Sequence, residues 1–171
     1  NVQINDAIAL VKQGIQLAGQ QRLEEAVASF EGALALKPDF VEALLVRGIV
    51  LFDLGRFEEA VASYDRVLAL QPDAQAFNCR GTALYSLGRF DEAVASYDRA
   101  LELQPDADAF DTRGAALYTL GRVDEAVASY DRALALKPDA AVFTRRGAAL
   151  YDLGQFDEAV ASFDNALALA P

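Results

Sequence analysis

The sequence predicts an all-α solenoid of ten antiparallel helices arranged as five helix-turn-helix repeats. Three observations carry this reading. The stretch from Leu54 to Asp73 returns almost letter for letter from Leu87, Leu120 and Leu153, a constant step of 33 residues. A looser copy, Gln20 to Asp39, lies 34 residues earlier. A fixed period of this length marks stacked supersecondary units, each too small to bury its own apolar face. Small residues keep the same period in two series: Gly14, Gly48, Gly81, Gly114 and Gly147, then Ala26, Ala60, Ala93, Ala126 and Ala159. Large residues at either series would force paired helices apart.

The repeats run over about 6–39, 40–73, 74–106, 107–139 and 140–171, and are read as one domain spanning 1–171. The second repeat shows the grammar. Asp39 follows Pro38 and is placed to cap a helix start, its carboxylate accepting from free backbone N–H groups. Leu44, Gly48, Leu51 and Phe52 then recur at helical spacing. Gly55 ends that helix, where a left-handed residue is wanted. Glu58 and Glu59 open the next helix, where negative charge suits the dipole. Ala60, Tyr64, Val67 and Leu68 form its apolar stripe, and Pro72 stops it. Gly88, Gly121 and Gly154 repeat the turn, and Pro105, Pro138 and Pro171 repeat the stop.

Composition excludes several functions. The 26 acids against 15 Lys and Arg give a net charge of −11, which disfavours nucleic acid and anionic lipid and leans toward basic partners. With no His and one Cys, a Ser-His-Asp arrangement is impossible and a structural zinc site is effectively excluded. No apolar run is long enough to span a bilayer. The turns carry one glycine each and form no phosphate-binding loop. Cys79 reads as a small groove-side filler. The acidic pairs Glu58-Glu59, Asp91-Glu92, Asp124-Glu125 and Asp157-Glu158 read as helix starts rather than metal ligands or catalytic acids. No cofactor, metal or catalytic residue is expected, and the chain is read as not an enzyme. It begins Asn1-Val-Gln-Ile without Met, which suggests a domain excised from a longer protein. With no leader visible, the default location is cytoplasmic.

The pattern resembles the tetratricopeptide repeat. It rests on the Gly of the first helix, the Ala opening the second, an aromatic four residues later (Phe30, Tyr64, Tyr97, Tyr130, Phe163) and the closing Pro. The resemblance covers nearly the whole chain, from about Asp6 to Pro171. It implies a right-handed α-α superhelix whose first helices line a concave groove for extended peptides or partner helices. Two features depart from the family. One residue is missing between Asp and Gly in repeats three to five: Asp73 to Gly81 is eight steps, whereas Asp39 to Gly48 is nine. The residue before each first-helix Gly, usually Leu, is Arg47, Arg80, Arg113 or Arg146.

Carrying the groove onto this sequence selects Val11, Lys12, Ile15, Leu45, Ile49 and Phe52 toward one end. Toward the other it selects Asn78, Thr82, Tyr85, Asp111, Tyr118, Thr144, Arg145 and Tyr151. The first end is apolar, the second polar with a row of tyrosines suited to binding. Alternatively the tyrosines pack between neighbouring first helices. The four arginines either grip carboxylates or phosphates of a ligand, or pair internally with the Asp65, Asp98, Asp131 and Asp164 series. One subset of the family clamps the C-terminal carboxylate of heat-shock chaperones with Lys, Asn and Arg. Lys12 matches one element, but Ile15 and Ile49 stand where Asn is needed, and Glu42 and Asp108 carry the wrong charge.

The resulting expectation is a protein-interaction module that docks a partner's peptide or helix, basic or apolar-basic in character. The alternatives are a self-assembling scaffold or the non-catalytic arm of a larger enzyme. The last repeat, including parts of Phe143, Leu150 and Phe163, should lack cover and offer a surface for self-association.

Overall fold

The computed structural model describes residues 2–169, and among them are ten α-helices and no strand. The helices are α1 (Val2–Gly19), α2 (Leu23–Leu36), α3 (Val41–Asp53), α4 (Phe57–Leu70) and α5 (Ala74–Ser86) in the first half. The second half has α6 (Phe90–Leu103), α7 (Ala107–Thr119), α8 (Val123–Leu136), α9 (Ala140–Asp152) and α10 (Phe156–Leu169). They group into two compact units, Asn1–Leu87 and Gly88–Pro171.

In the first unit, α1 pairs with α2 and α3 with α4, while α2 packs on α3 and α4 on α5. In the second, α7 pairs with α8 and α9 with α10, while α6 packs on α7 and α8 on α9. Each pair closes over the aromatic of its second helix. A Cβ added at Gly48 would lie 2.5 Å from Tyr64 Cε1, and one at Gly114 2.6 Å from Tyr130 Cε1. Both distances are far inside van der Waals contact, so the absent side chain is what lets the ring lie flat against the first helix. Phe30, Tyr64 and Tyr130 are buried, with Leu44, Leu51, Leu117 and Leu150 beside them in the cores of their units.

The turn inside each hairpin is set by one left-handed residue. At the end of α3, Gly55 has φ +75°, and Gly55 N–H and Arg56 N–H donate to Phe52 O and Leu51 O, both at 2.9 Å. This double bond-back satisfies carbonyls that the helix itself leaves free. The first hairpin makes the same turn with Gln21 at φ +62°, the single non-glycine in this conformation among the described residues.

The starts of the first helices correct one expectation. Asp73, Asp106 and Asp139 do cap α5, α7 and α9, accepting from Ala76 N, Ala109 N and Ala141 N at 2.6, 2.8 and 2.8 Å. Asp39 does not cap α3; the N-cap there is Phe40, with no side-chain bond. The extra residue of the 34-residue step is Phe40 itself, which pushes Asp39 one position out of reach. Second helices start differently: the N-caps of α2, α4, α6 and α8 are Arg22, Arg56, Arg89 and Arg122, none with a side-chain cap bond. Each arginine folds forward onto the second acid of the pair that follows, as in Arg56 Nε to Glu59 Oε1 at 2.7 Å. The guanidinium holds Glu25, Glu59 and Glu125 below the usual carboxylate range. These pairs are exposed and contribute little to stability.

The end of the second unit also departs from expectation. Leu150 is buried at 1% exposure and Phe143 and Phe163 are half-covered. The uncovered apolar residues are Phe156, Val160, Leu167 and Leu169, all more than half exposed on α10. The reason is that α9 and α10 close their own core, so only the outward face of α10 is left. The closing residue Pro171 lies outside the described residues.

Candidate functional site

The first helices adjoin one another within each unit, α1 to α3 to α5 in the first and α7 to α9 in the second. Every groove residue selected from the sequence lies on one of them. In the first unit, Lys12 and Ile15 are exposed on α1, whereas Val11 is buried at 2% and belongs to the core of its hairpin. Leu45, Ile49 and Phe52 on α3 are half-buried, as are Asn78, Thr82 and Tyr85 on α5.

Between α3 and α5 these side chains enclose a pocket of about 190 Å³. Ile49, Phe52, Asn78, Cys79 and Thr82 form its walls and Tyr64 of α4 also lines it. The lining is mostly apolar because Asn, Cys and Thr are short and withdraw from the space that Ile49 and Phe52 flank. Phe52 is steadied by Phe57, ring centroids 5.2 Å apart. Thr82 Oγ1 donates to Asn78 O at 3.1 Å. Asn78 Oδ1 is buried and accepts no hydrogen bond from any described residue. Cys79 and Tyr64 hydrogen-bond each other; burial pushes both acids up, so both stay protonated at neutral pH. A protonated, part-buried thiol is a poor nucleophile.

The second unit builds its face from bonds between first helices. Arg145 of α9 reaches back to Asp111 of α7, with Nε to Oδ1 at 2.9 Å and Nη2 to Oδ2 at 2.5 Å. This bidentate pair is only partly open to water, with 19% of the Asp111 side chain exposed. Tyr118 of α7 donates its hydroxyl to Asp152 of α9, and the carboxylate acceptor raises the phenol above its ordinary range. Tyr118 nonetheless remains 38% exposed. Tyr151 is 61% exposed and meets Phe156 edge-on, with centroids 5.3 Å apart. Thr144 is exposed, its hydroxyl turned back to Ala140 O at 2.9 Å. Sequence reasoning placed Asp111, Tyr118 and Arg145 on this face but missed that Asp111 binds Arg145 and that Tyr118 binds Asp152.

The arginine series resolves as internal. Arg80 Nε meets Asp65 Oδ1, Arg113 Nε meets Asp98 Oδ1 and Arg146 Nε meets Asp131 Oδ1, each at 2.6 Å. Arg47 does the same with Glu31 at 3.0 Å, Glu31 being the matching residue of the first repeat, and also donates to Ser63 Oγ at 2.7 Å. Each pair links a first helix to the second helix of the preceding repeat. Asp164, the last acid of that series, has no ion pair among the described residues. No group of His, Cys, Asp and Glu among those residues is placed to hold a metal ion, and no helix is long and apolar enough to cross a membrane.

Models of the tetratricopeptide repeat match residues 11–75, 80–141 and 140–171. The chain belongs to the tetratricopeptide repeat family. Such repeats are typically non-catalytic interaction modules. No curated protein sequence matches this tetratricopeptide repeat chain. Among solved structures it is similar to a MamA, at 27% identity and a TM-score of 0.88 over 90% of this chain and 92% of the other. It is also similar to YrrB, described as a TPR protein with an unusual peptide-binding site, at 25% identity and a TM-score of 0.85 over 97% and 87%. The MamA of Desulfovibrio magneticus RS-1 shares the fold at 21% identity, with a TM-score of 0.90 over 96% and 94%.

Proposed function

We propose that this tetratricopeptide repeat chain is a protein-interaction module that docks a peptide or helix of a partner on the faces that its first helices form within each unit. The observation that carries the reading is the open apolar pocket between α3 and α5. A monomer that needed this face only for its core would fill such a space. The likeness to YrrB, whose description names a peptide-binding site, supports the same use. A rigid scaffold with preformed contacts loses little order on binding, which favours docking of a flexible segment. The net charge of −11, with Glu42, Asp53, Asp108 and Asp152 exposed on first helices, favours a basic or apolar-basic segment.

The test is to pan a random dodecapeptide display library against the intact chain and against the Phe52→Ala, Tyr118→Ala double variant. Enrichment on the first and its loss on the second is expected. Equal enrichment on both would sink the proposal.

A second reading rests on α10, whose Phe156, Val160, Leu167 and Leu169 form an exposed apolar strip. It is self-association through that helix. Sedimentation over a wide concentration range distinguishes it: a strict monomer at the highest concentration argues against it.

A further inference from the structure

We infer that the pocket between α3 and α5 holds one apolar side chain of the partner segment, of leucine or phenylalanine size and adjacent to a lysine or arginine. This rests on the docking function proposed above and specifies what that face selects. The size follows from the volume. An apolar cavity of about 150 Å³ accepts a benzene-sized group, and this pocket measures about 190 Å³. Ile49, Phe52 and Tyr64 offer that group apolar contact, and Thr82 completes the lining.

The second requirement comes from Asn78. Its buried Oδ1 has no donor, and a buried unsatisfied acceptor is costly and rare. An incoming polypeptide carries a backbone N–H beside every side chain, so seating the apolar group at this depth brings a donor to the amide. A hydrocarbon or a lipid tail brings none. The unmet acceptor therefore favours a peptide over an apolar small molecule.

The charge follows from what surrounds the pocket. Asp53 follows the pocket-lining Phe52 at the end of α3 and is exposed, and its charge also acts on Tyr64 within the pocket. Asp53 has no ion pair among the described residues. The arginines of the unit are engaged: Arg22 with Glu25, Arg47 with Glu31, Arg56 with Glu59 and Glu24, Arg66 with Pro38 O and Arg80 with Asp65. Beside Phe52 the protein thus offers the exposed carboxylate of Asp53 to a ligand, and a cation next to the anchoring side chain is attracted to it.

The experiment uses peptides enriched from the dodecapeptide library, synthesised and titrated by fluorescence anisotropy. The expected consensus places Leu or Phe next to Lys or Arg. Thr82→Leu fills the pocket from its rim and should weaken binding about tenfold to a hundredfold, the worth of one excluded apolar side chain. Asp53→Asn should remove the preference for a basic neighbour and flatten the salt dependence. Cys79→Ala enlarges the pocket and should shift selection toward Phe and Trp, which provides a readout independent of how Thr82→Leu folds. Binding unchanged by Thr82→Leu, with selection unchanged by Cys79→Ala, would overturn the pocket while leaving docking on the face intact. Capture of no peptide at all would overturn both.

Discussion

Asn78 of α5 and Asp111 of α7 stand at the same place in successive repeats, yet their surroundings differ. Around Asn78, Ile49, Phe52 and Thr82 leave an open apolar pocket and a buried oxygen without a donor. Asp111 has both oxygens bound by Arg145 of the next first helix, and Tyr118 is tied to Asp152 in the same direction. The helices, turns and aromatic cores are common to both units. What differs is whether a first helix meets its neighbour's polar groups or leaves room for another molecule's. A repeat scaffold can thus be made rigid in one place and receptive in another by changing a few side chains on one helix face, with the same helices and turns kept.

The comparison can be tested first where the units should agree. Gly48→Ala and Gly114→Ala each drive a Cβ into a tyrosine ring, and each should destabilise the protein by about 1–3 kcal/mol. Chemical denaturation measures this; clearly unequal losses would mean that the two cores are not equivalent. The faces should then disagree. Asp111→Ala strips a half-buried guanidinium of its partner and should cost about 1–2 kcal/mol, between the values for surface and buried pairs. Asn78→Leu, which restores the residue found at Leu45 one repeat earlier, removes the orphan acceptor and should gain about 0.5–1 kcal/mol. A loss at Asn78 matching that at Asp111 would erase the distinction.

The smallest effect concerns pH. Burial raises Cys79 and Tyr64, so above the ordinary thiol value of about 8.5 and the phenol value of about 10 the unfolded chain releases protons that the folded chain keeps. The stability due to these groups is complete below that range and falls as pH rises through it. The melting temperature should decline between pH 8 and pH 11, and Cys79→Ala should flatten the start of the decline. An unaltered curve would show that the thiol is not shielded.

Much of the fold was legible because the informative residues are periodic. Gly48, Ala60, Tyr64, Gly55 and Pro72 each act through a local requirement: close approach, a ring beneath a glycine, a left-handed turn or a helix stop. Their recurrence made each reading self-checking. The Arg80–Asp65 type of pair was legible for the same reason, since both members keep one period. The shift of the α3 cap to Phe40 was not, because one inserted residue changes which side chain reaches the free N–H groups without changing any apolar pattern. The Asp111–Arg145 and Tyr118–Asp152 bonds were hidden because each occurs once. The pocket was half visible: Ile49, Phe52, Asn78 and Thr82 were selected for one face, but that three short side chains together leave a void needs the packed structure. Val11 went the other way: it flanks the first-helix Gly14 and was selected for the groove, but the first hairpin buries it.

The single occurrence of the Asp111–Arg145 bond matters for how such a chain finds its order. When hairpins are near copies, a nascent one has several apolar berths of almost equal quality, and arrays of this kind are prone to misassembly. Only α9 beside α7 aligns this guanidinium with this carboxylate. A hairpin that settles in the wrong slot forfeits both hydrogen bonds, so the pair acts as an address label, telling interchangeable parts where in the line they belong.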